Sequence, residues 1–145
     1  MPMKIVLLAI LATAVAADDP ANDVRVLLDR QVADWNRKDL DGFCAGYWRS
    51  PKLVFQSGGD KVEGWEAMRS RYRKRYQGEG KAMGALAFRE VEVEPLGPDS
   101  AFARGRWELQ FADGKKAGGR FTLILRKTAD GWRIVHDHTS ADSES

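Results

Sequence analysis

One cysteine, two histidines and almost no surplus of charge are what this 145-residue chain has least of. A single cysteine, Cys44, excludes an intramolecular disulfide and any zinc cluster built on several thiolates. Lys and Arg number 23 against 21 Asp and Glu, a formal net charge of +2. A balance this close excludes a protein that grips nucleic acid mainly through bulk electrostatics. With 43% hydrophobic residues it also excludes a disordered chain, which needs low hydrophobicity and high net charge. Neither internal repeats nor low-complexity stretches interrupt the sequence. The length fits one domain of the usual ~100–200 residues. It suffices to bury a core without metal or disulfide staples.

Long apolar runs are also scarce, and the one present stands apart. Ile5 to Ala12 is unbroken, Lys4 precedes it, and Ala14-Val15-Ala16 supplies the small-x-small pattern of a signal-peptidase site. Residues 1–17 therefore read as a secretory signal peptide cut after Ala16 or Ala17. The run falls short of the about 20 apolar residues a membrane span needs. The expectation is an exported protein, periplasmic or secreted, with no membrane attachment after cleavage. Loss of Lys4 brings the mature chain one charge closer to neutral. In an oxidising compartment a lone thiol is buried or paired with another chain. Cys44, between Phe43 and Ala45, reads as buried.

From Asp18 the periodicity is helical. Val24, Leu27, Leu28, Gln31, Val32 and Trp35 share one face, with Asp23 as a candidate cap and Arg25, Asp29, Arg30, Asp34 and Arg37 opposite. A second helix is predicted over Asp39 to Trp48, stopped by Ser50-Pro51. A short strand follows at Lys52 to Gln56, then a turn at Ser57-Gly58-Gly59-Asp60. The third helix is predicted from Gly64 to Tyr76. Trp65, Met68, Tyr72 and Tyr76 lie on one side, and Arg69, Arg71, Arg73, Lys74 and Arg75 crowd the other. Such a basic face either contacts an anionic partner or is simply solvated.

From Leu86 onward the period drops to 2. Leu86 to Glu94 slips parity between Phe88 and Val91, which predicts a bulge. Ala101 to Phe111 and Phe121 to Arg126 alternate cleanly, and Asp113-Gly114 and Asp130-Gly131 mark hairpin turns. The last strand is Trp132 to Thr139, followed by a polar tail at residues 141–145. Helices grouped before turn-linked strands define an α+β domain over residues 18–140, with helices packed on a curved antiparallel sheet.

The closing segment Gly131-Trp132-Arg133-Ile134-Val135-His136-Asp137-His138-Thr139-Ser140 resembles the last strand of the association domain of calmodulin-dependent protein kinase II. Val62-Glu63-Gly64-Trp65 and Gly105-Arg106-Trp107 are similar to small bacterial proteins of unknown function in the same superfamily. Together with the order of elements they resemble the nuclear transport factor 2-like superfamily, whose cone fold ketosteroid isomerase also uses. The resemblance implies a conical pocket between sheet and helices, and a homodimer formed through the outer sheet face. Candidate ligand-binding residues are Tyr47, Phe55, Trp65, Met68, Tyr72, Trp107, Leu123 and Thr139, each equally open to reading as core. Trp and Tyr are the better candidates, having one polar edge.

Alternation puts His136 and His138 on one face of the last strand and Asp137 and Thr139 on the other. A His-x-His metal pair would need a third ligand, and none stands at a telling spacing, so no metal or cofactor is expected. Either the histidines face the pocket as acid/base groups or Asp137 does. Overlaying the association-domain pattern places Thr139, Leu123 and Trp107 inward and favours Asp137. A carboxyl among Trp and Leu side chains should have a raised pKa. Asp137 and His138 are thus the candidate catalytic residues. Two departures from the family narrow the chemistry. The association domain's inward arginines are replaced here by Trp107, Leu123 and Thr139, which argues against an anionic ligand. Gln56-Ser57 stands where ketosteroid isomerase keeps its general-base aspartate. Three functions stay open: a small-molecule-binding protein with a mainly apolar pocket; an isomerase, dehydratase or cyclase moving a proton with Asp137 or His138; and an oligomerisation module whose pocket is closed.

Overall fold

The computed structural model describes residues 16–143 together with residues 1, 10 and 12–14. The signal-peptide reading of residues 1–17 therefore falls mostly outside the described residues. Among the described residues no helix is long and apolar enough to cross a membrane.

Helix α1 spans Pro20–Asn36. It starts earlier than the Asp23 cap implied, because Asp19 accepts from the Asn22 amide at 3.1 Å and Pro20 occupies the first turn, where its missing N–H costs nothing. Asp34, assigned to the polar face, is instead only 1% exposed. After Lys38, in the left-handed region at φ 63°, the chain folds back so that the Asp39 amide donates to the Asp34 carbonyl at 2.8 Å. The Arg37 guanidinium closes on the Asp34 carboxylate. Gly42 lies so near it that a Cβ would sit 2.9 Å from its Cγ.

Helix α2, Leu40–Cys44, is capped by Asp39 and is much shorter than the predicted segment. It ends because the next residues run beside the last strand: the Ile134 amide donates to Gly46 at 3.0 Å and the Trp48 amide to Ile134 at 2.9 Å. Helix α3, Trp65–Arg73, continues into a π-helical turn at Lys74–Gly78, closed by the Glu79 amide on the Lys74 carbonyl at 2.7 Å.

The described strands are β1 Val54–Ser57, β2 Asp60–Glu63, β3 Ala85–Gly97, β4 Ser100–Gln110, β5 Lys116–Thr128 and β6 Gly131–Thr139. They form one sheet in the order β2-β1-β6-β5-β4-β3. Strand β2 was not anticipated, since Asp60–Glu63 offers only Val62 to an apolar face. The sheet is curved, unclosed and mostly antiparallel. Its exception is β1 against β6, which pair in parallel with Phe55 opposite Asp137. The domain is α+β, helices on one face of a curved sheet, as the switch of period indicated.

Two irregularities shape the inner face. The expected bulge lies between Arg89 and Glu92, with Glu90 at φ 52°. A second interrupts β5 and β6, where Ile124 pairs His136 and Leu125 pairs Ile134, leaving Val135 unpaired. A one-residue bulge reverses which face later side chains occupy. Trp132 and Ile134 face inward before it, Asp137 and Thr139 after it. Strict alternation from the buried Trp132 and Ile134 would have turned both histidines inward instead.

Candidate functional site

Between the inner sheet face and the helices lies a cavity of about 650 Å³. Its walls are Phe55 of β1, Leu86 and Phe88 of β3, Trp107 and Leu109 of β4, Ala117, Phe121 and Leu123 of β5, and Ile134, Asp137 and Thr139 of β6. The helical side contributes Gln31, Trp35, Phe43, Tyr47, Tyr72 and Tyr76. This size falls within the range of about 300–1,000 Å³ usual for small-molecule sites.

The aromatic wall is a connected cluster. Trp35 meets Phe43 edge-on at 5.1 Å and Tyr76 at 5.0 Å, Phe43 meets Tyr72 at 5.5 Å, and Phe55 meets Tyr72 at 5.9 Å. Edge-to-face pairs at these separations contribute about 0.5–1.5 kcal/mol each beyond their buried area. The Trp35 indole is fixed by donating to the Met83 and Gly84 carbonyls, both at 3.2 Å. Trp107 donates to the Ser140 carbonyl at 2.9 Å. That bond belongs to a docked segment: the Ser140 amide reaches Arg120, the Asp142 amide reaches Gly118, and the Asp142 carboxylate pairs with Arg106 at 2.5 Å. Residues 140–142 are thus laid along β5 rather than forming a free polar tail, and Ala141 lines the cavity.

Among the described residues Asp137 is the one carboxylate in the lining, and it is only 3% exposed. The Tyr47 hydroxyl donates to its Oδ2 at 2.8 Å and the Thr139 hydroxyl to its Oδ1 at 2.7 Å. Tyr47 is aimed there by the bridge between its own backbone and Ile134, one strand position before the bulge. Burial dominates the electrostatics and pushes the Asp137 pKa up to about 6. The two hydroxyls and the charge of His138 pull the other way without overcoming it. Burial, with the Asp137 charge second, likewise raises Tyr47 and Tyr72 well above an ordinary phenol. The cavity thus holds one carboxyl that exchanges a proton near neutral pH and hydroxyls that stay protonated.

Of the candidate ligand-binding residues, Tyr47, Phe55, Tyr72, Trp107, Leu123 and Thr139 line the cavity. Trp65 and Met68 do not, and this corrects the sequence expectation. Helix α3 packs on α2 and β2, so its first turns face those elements. Trp65 donates to the Cys44 carbonyl at 2.9 Å, its ring lies under Arg49 at 4.7 Å and Arg69 at 5.4 Å, and Met68 is fully buried. Only the far end of the helix, at Tyr72 and Tyr76, reaches the cavity. His138 is also outside: it pairs with Thr122 and Gln56 and is exposed on the opposite sheet face. Cys44 is buried, and burial pushes its thiol up to about 12, so it stays a protonated packing residue.

Several lining residues escaped sequence reasoning. Gln31, held by the Phe43 carbonyl at 3.2 Å, and Trp35 lay on the inner face of α1, but nothing distinguished cavity from core there. Arg71, Arg75 and Lys81 also line the cavity. The basic face of α3 is therefore divided. Arg69 and Arg73 bind Asp41 at 3.0 Å, holding that carboxyl below its usual range, whereas Arg71 and Arg75 stand beside Tyr72 and Tyr76 at the mouth. Among the described residues no group of three His, Cys, Asp or Glu side chains could hold a metal ion.

A helix-backed, curved sheet enclosing a cone is the architecture of the nuclear transport factor 2-like (NTF2-like) proteins. Residues 24–143 match the SnoaL-like domain model, and the chain belongs to that family. A solved NTF2-like protein of unknown function from Shewanella oneidensis is 35% identical, covering 84% of this chain and 99% of that one, with a TM-score of 0.78. A ketosteroid isomerase-like protein from Erwinia carotovora atroseptica has 22% identity, a TM-score of 0.71 and coverage of 88% and 100%. An NTF2-like superfamily protein from Salmonella enterica has 20% identity, a TM-score of 0.70 and coverage of 86% and 92%. At those two identities the likeness concerns the fold alone. Among curated proteins no match is found.

Proposed function

We propose that this chain is an exported small-molecule-binding protein whose ligand occupies the conical, mainly apolar cavity. One observation carries the reading: side chains that could have met and closed a core instead stand around about 650 Å³ of space. Interiors normally pack to crystal-like density, so a void of this size is not a packing residue. This separates the proposal from the closed-pocket interaction module. Export rests on the leader-like run Ile5 to Ala12. A homodimer through the outer sheet face fits the half-buried Val54, Phe102 and Ile124 there. Sedimentation of the mature chain tests the dimer, and N-terminal sequencing of the secreted protein tests export.

Binding is tested with N-phenyl-1-naphthylamine, an uncharged fluorescent probe. The expected result is saturable binding at about one probe per chain, lost in Leu109→Trp, which fills the cavity from β4. A folded Leu109→Trp variant that binds the probe as wild type does would overturn the reading. Small molecules retained on native purification, identified by mass spectrometry, would then name the natural ligand.

Asp137 supports a second reading, an isomerase, dehydratase or cyclase. A buried carboxyl with a pKa of about 6 can take a proton from, or give one to, a polarised ligand. The position of His138 on the outer face leaves this role to Asp137. Once a turnover is found, Asp137→Asn should abolish it, and unchanged turnover would remove Asp137 from the mechanism.

A further inference from the structure

The mouth and the floor of the cavity carry opposite charge. Asp137 lies sealed among the walls, and among the described residues the other charged side chains of the lining are Arg71, Arg75 and Lys81, all exposed. These three cations differ in how far they are neutralised. Arg71 reaches Asp60 at 3.4 Å, a loose contact to a side chain 74% exposed. Arg75 and Lys81 have no ion pair among the described residues. Their neighbours on α3 show the contrast, since Arg69 and Arg73 are both held by Asp41.

The backbone sets the two free cations together. Past the π-helical turn, Gly80 adopts φ 65°, a left-handed conformation that suits glycine. The chain then returns until the Lys81 amide donates to the Arg75 carbonyl at 3.2 Å. The Arg75 guanidinium rests over the Tyr76 ring, 5.5 Å from its centroid, and Tyr76 is itself part of the aromatic wall. The charged rim and the apolar chamber are therefore continuous, joined at one side chain.

We propose that the cavity is built for an amphipathic anion, a molecule with one acidic group and a largely apolar body. The acid rests between Arg75 and Lys81 at the mouth while the body lies inward among the aromatic rings. This rests on the reading of the cavity as a ligand site and adds the ligand's class and orientation. An inorganic anion would leave the apolar walls empty. A neutral apolar molecule would leave both cations unused. The reverse orientation would bring the acid against the Asp137 carboxylate, a like-charge approach among apolar walls that screen charge poorly. The inward end is therefore uncharged. A hydroxyl or carbonyl there would meet Asp137, Tyr47 and Thr139. The cations the sequence lacks on the sheet, where Trp107, Leu123 and Thr139 stand, are supplied from the helical side.

Two probes with one fluorescent body separate the possibilities: 1-anilinonaphthalene-8-sulfonate and the uncharged N-phenyl-1-naphthylamine. Titrated into the mature chain at low salt, the sulfonate should bind about tenfold more tightly. Salt should narrow that gap, because rim charges are screened. In Arg75→Gln/Lys81→Gln the sulfonate should fall to the affinity of the neutral probe, whose own binding stays unchanged. Lys52→Gln/Lys127→Gln, which lowers the net charge equally but away from the mouth, should keep the preference. Equal affinities in wild type, a preference that survives in the rim variant, or one that the distant variant also loses would each overturn the anion assignment and leave a neutral-ligand cavity. If neither probe binds wild type, the cavity reading itself fails.

Discussion

The same sheet face is packed solid at one end and hollow at the other. Where α1 crosses, Val24 and Leu28 lie over β3 and β4, and the inward residues of β4 are Ala101 and Ala103. All four are buried with Leu125 beneath them. Small side chains let the helix settle close over the alanines. At the other end the inward residues of β4 are Trp107 and Leu109, too large for a close helix, and α3 stands off on α2 and β2. Alternation alone makes both ends look like core. What separates them is the size of the inward residue and the distance of the element that covers it.

Leucine truncation gives the largest effect and the most direct way to break this contrast. Leu28→Ala should lower stability by about 3 kcal/mol, within the range for cavity-forming core changes. Leu109→Ala should cost about 1 kcal/mol, because that side chain already faces space and gives up fewer packing contacts. Urea unfolding of the two variants checks this, and equal losses would mean that the hollow end is packed in solution.

Asp137 sharpens the comparison with pH. Its folded pKa of about 6 lies above the ordinary aspartate value of 3.8, so between those values the folded state holds the proton more tightly than the unfolded chain. Stability from this group is full below about pH 4 and is lost as pH rises through about 6, a loss of about 3 kcal/mol. Asp137→Asn keeps the shape without the charge. It should raise stability at pH 8 by about 2 kcal/mol and leave it nearly unchanged at pH 4. Thermal melts at the two pH values decide, and equal shifts at both would contradict a buried, titrating carboxyl.

Tyr47→Phe should act in the opposite direction and more weakly. It removes a hydrogen bond that favours the carboxylate, at a cost of about 1 kcal/mol at pH 8. It should also move the Asp137 titration above its present value of about 6, read from the carboxyl carbon shift by NMR. The mouth should be the quietest region. Arg75→Gln/Lys81→Gln should change the urea midpoint by less than the equivalent of about 0.5 kcal/mol, since both side chains are exposed.

How much of this was legible in the sequence follows from the same contrast. The α+β order, the bulge after Phe88 and the inward placement of Asp137 and Thr139 all left a signal in periodicity or resemblance. Strand β2 left none, because a four-residue edge strand need not be apolar. Trp65 and Met68 shared a helical face with Tyr72, but a helix that leans on one neighbour at its start and another at its end divides that face between core and cavity. Arg71 and Arg75 were hidden among five basic residues in seven positions, where only tertiary partners separate the paired from the free. The π-helical turn and the loop return at Gly80 leave no pattern of period 3.6 or 2 to read.

The unpaired Val135 acts on β6 as a reading frame acts on a message. Everything downstream is interpreted by its position relative to that one residue. With it, an aspartate is sealed inside and two histidines meet solvent. Were Val135 paired in strict alternation, the same letters would seal in imidazoles and expose the acid. Deleting its codon would leave that frame intact, since Ile134 would still face Leu125 and His136 still face Ile124; only a Val135 drawn into the ladder would exchange the chemistry of the chamber.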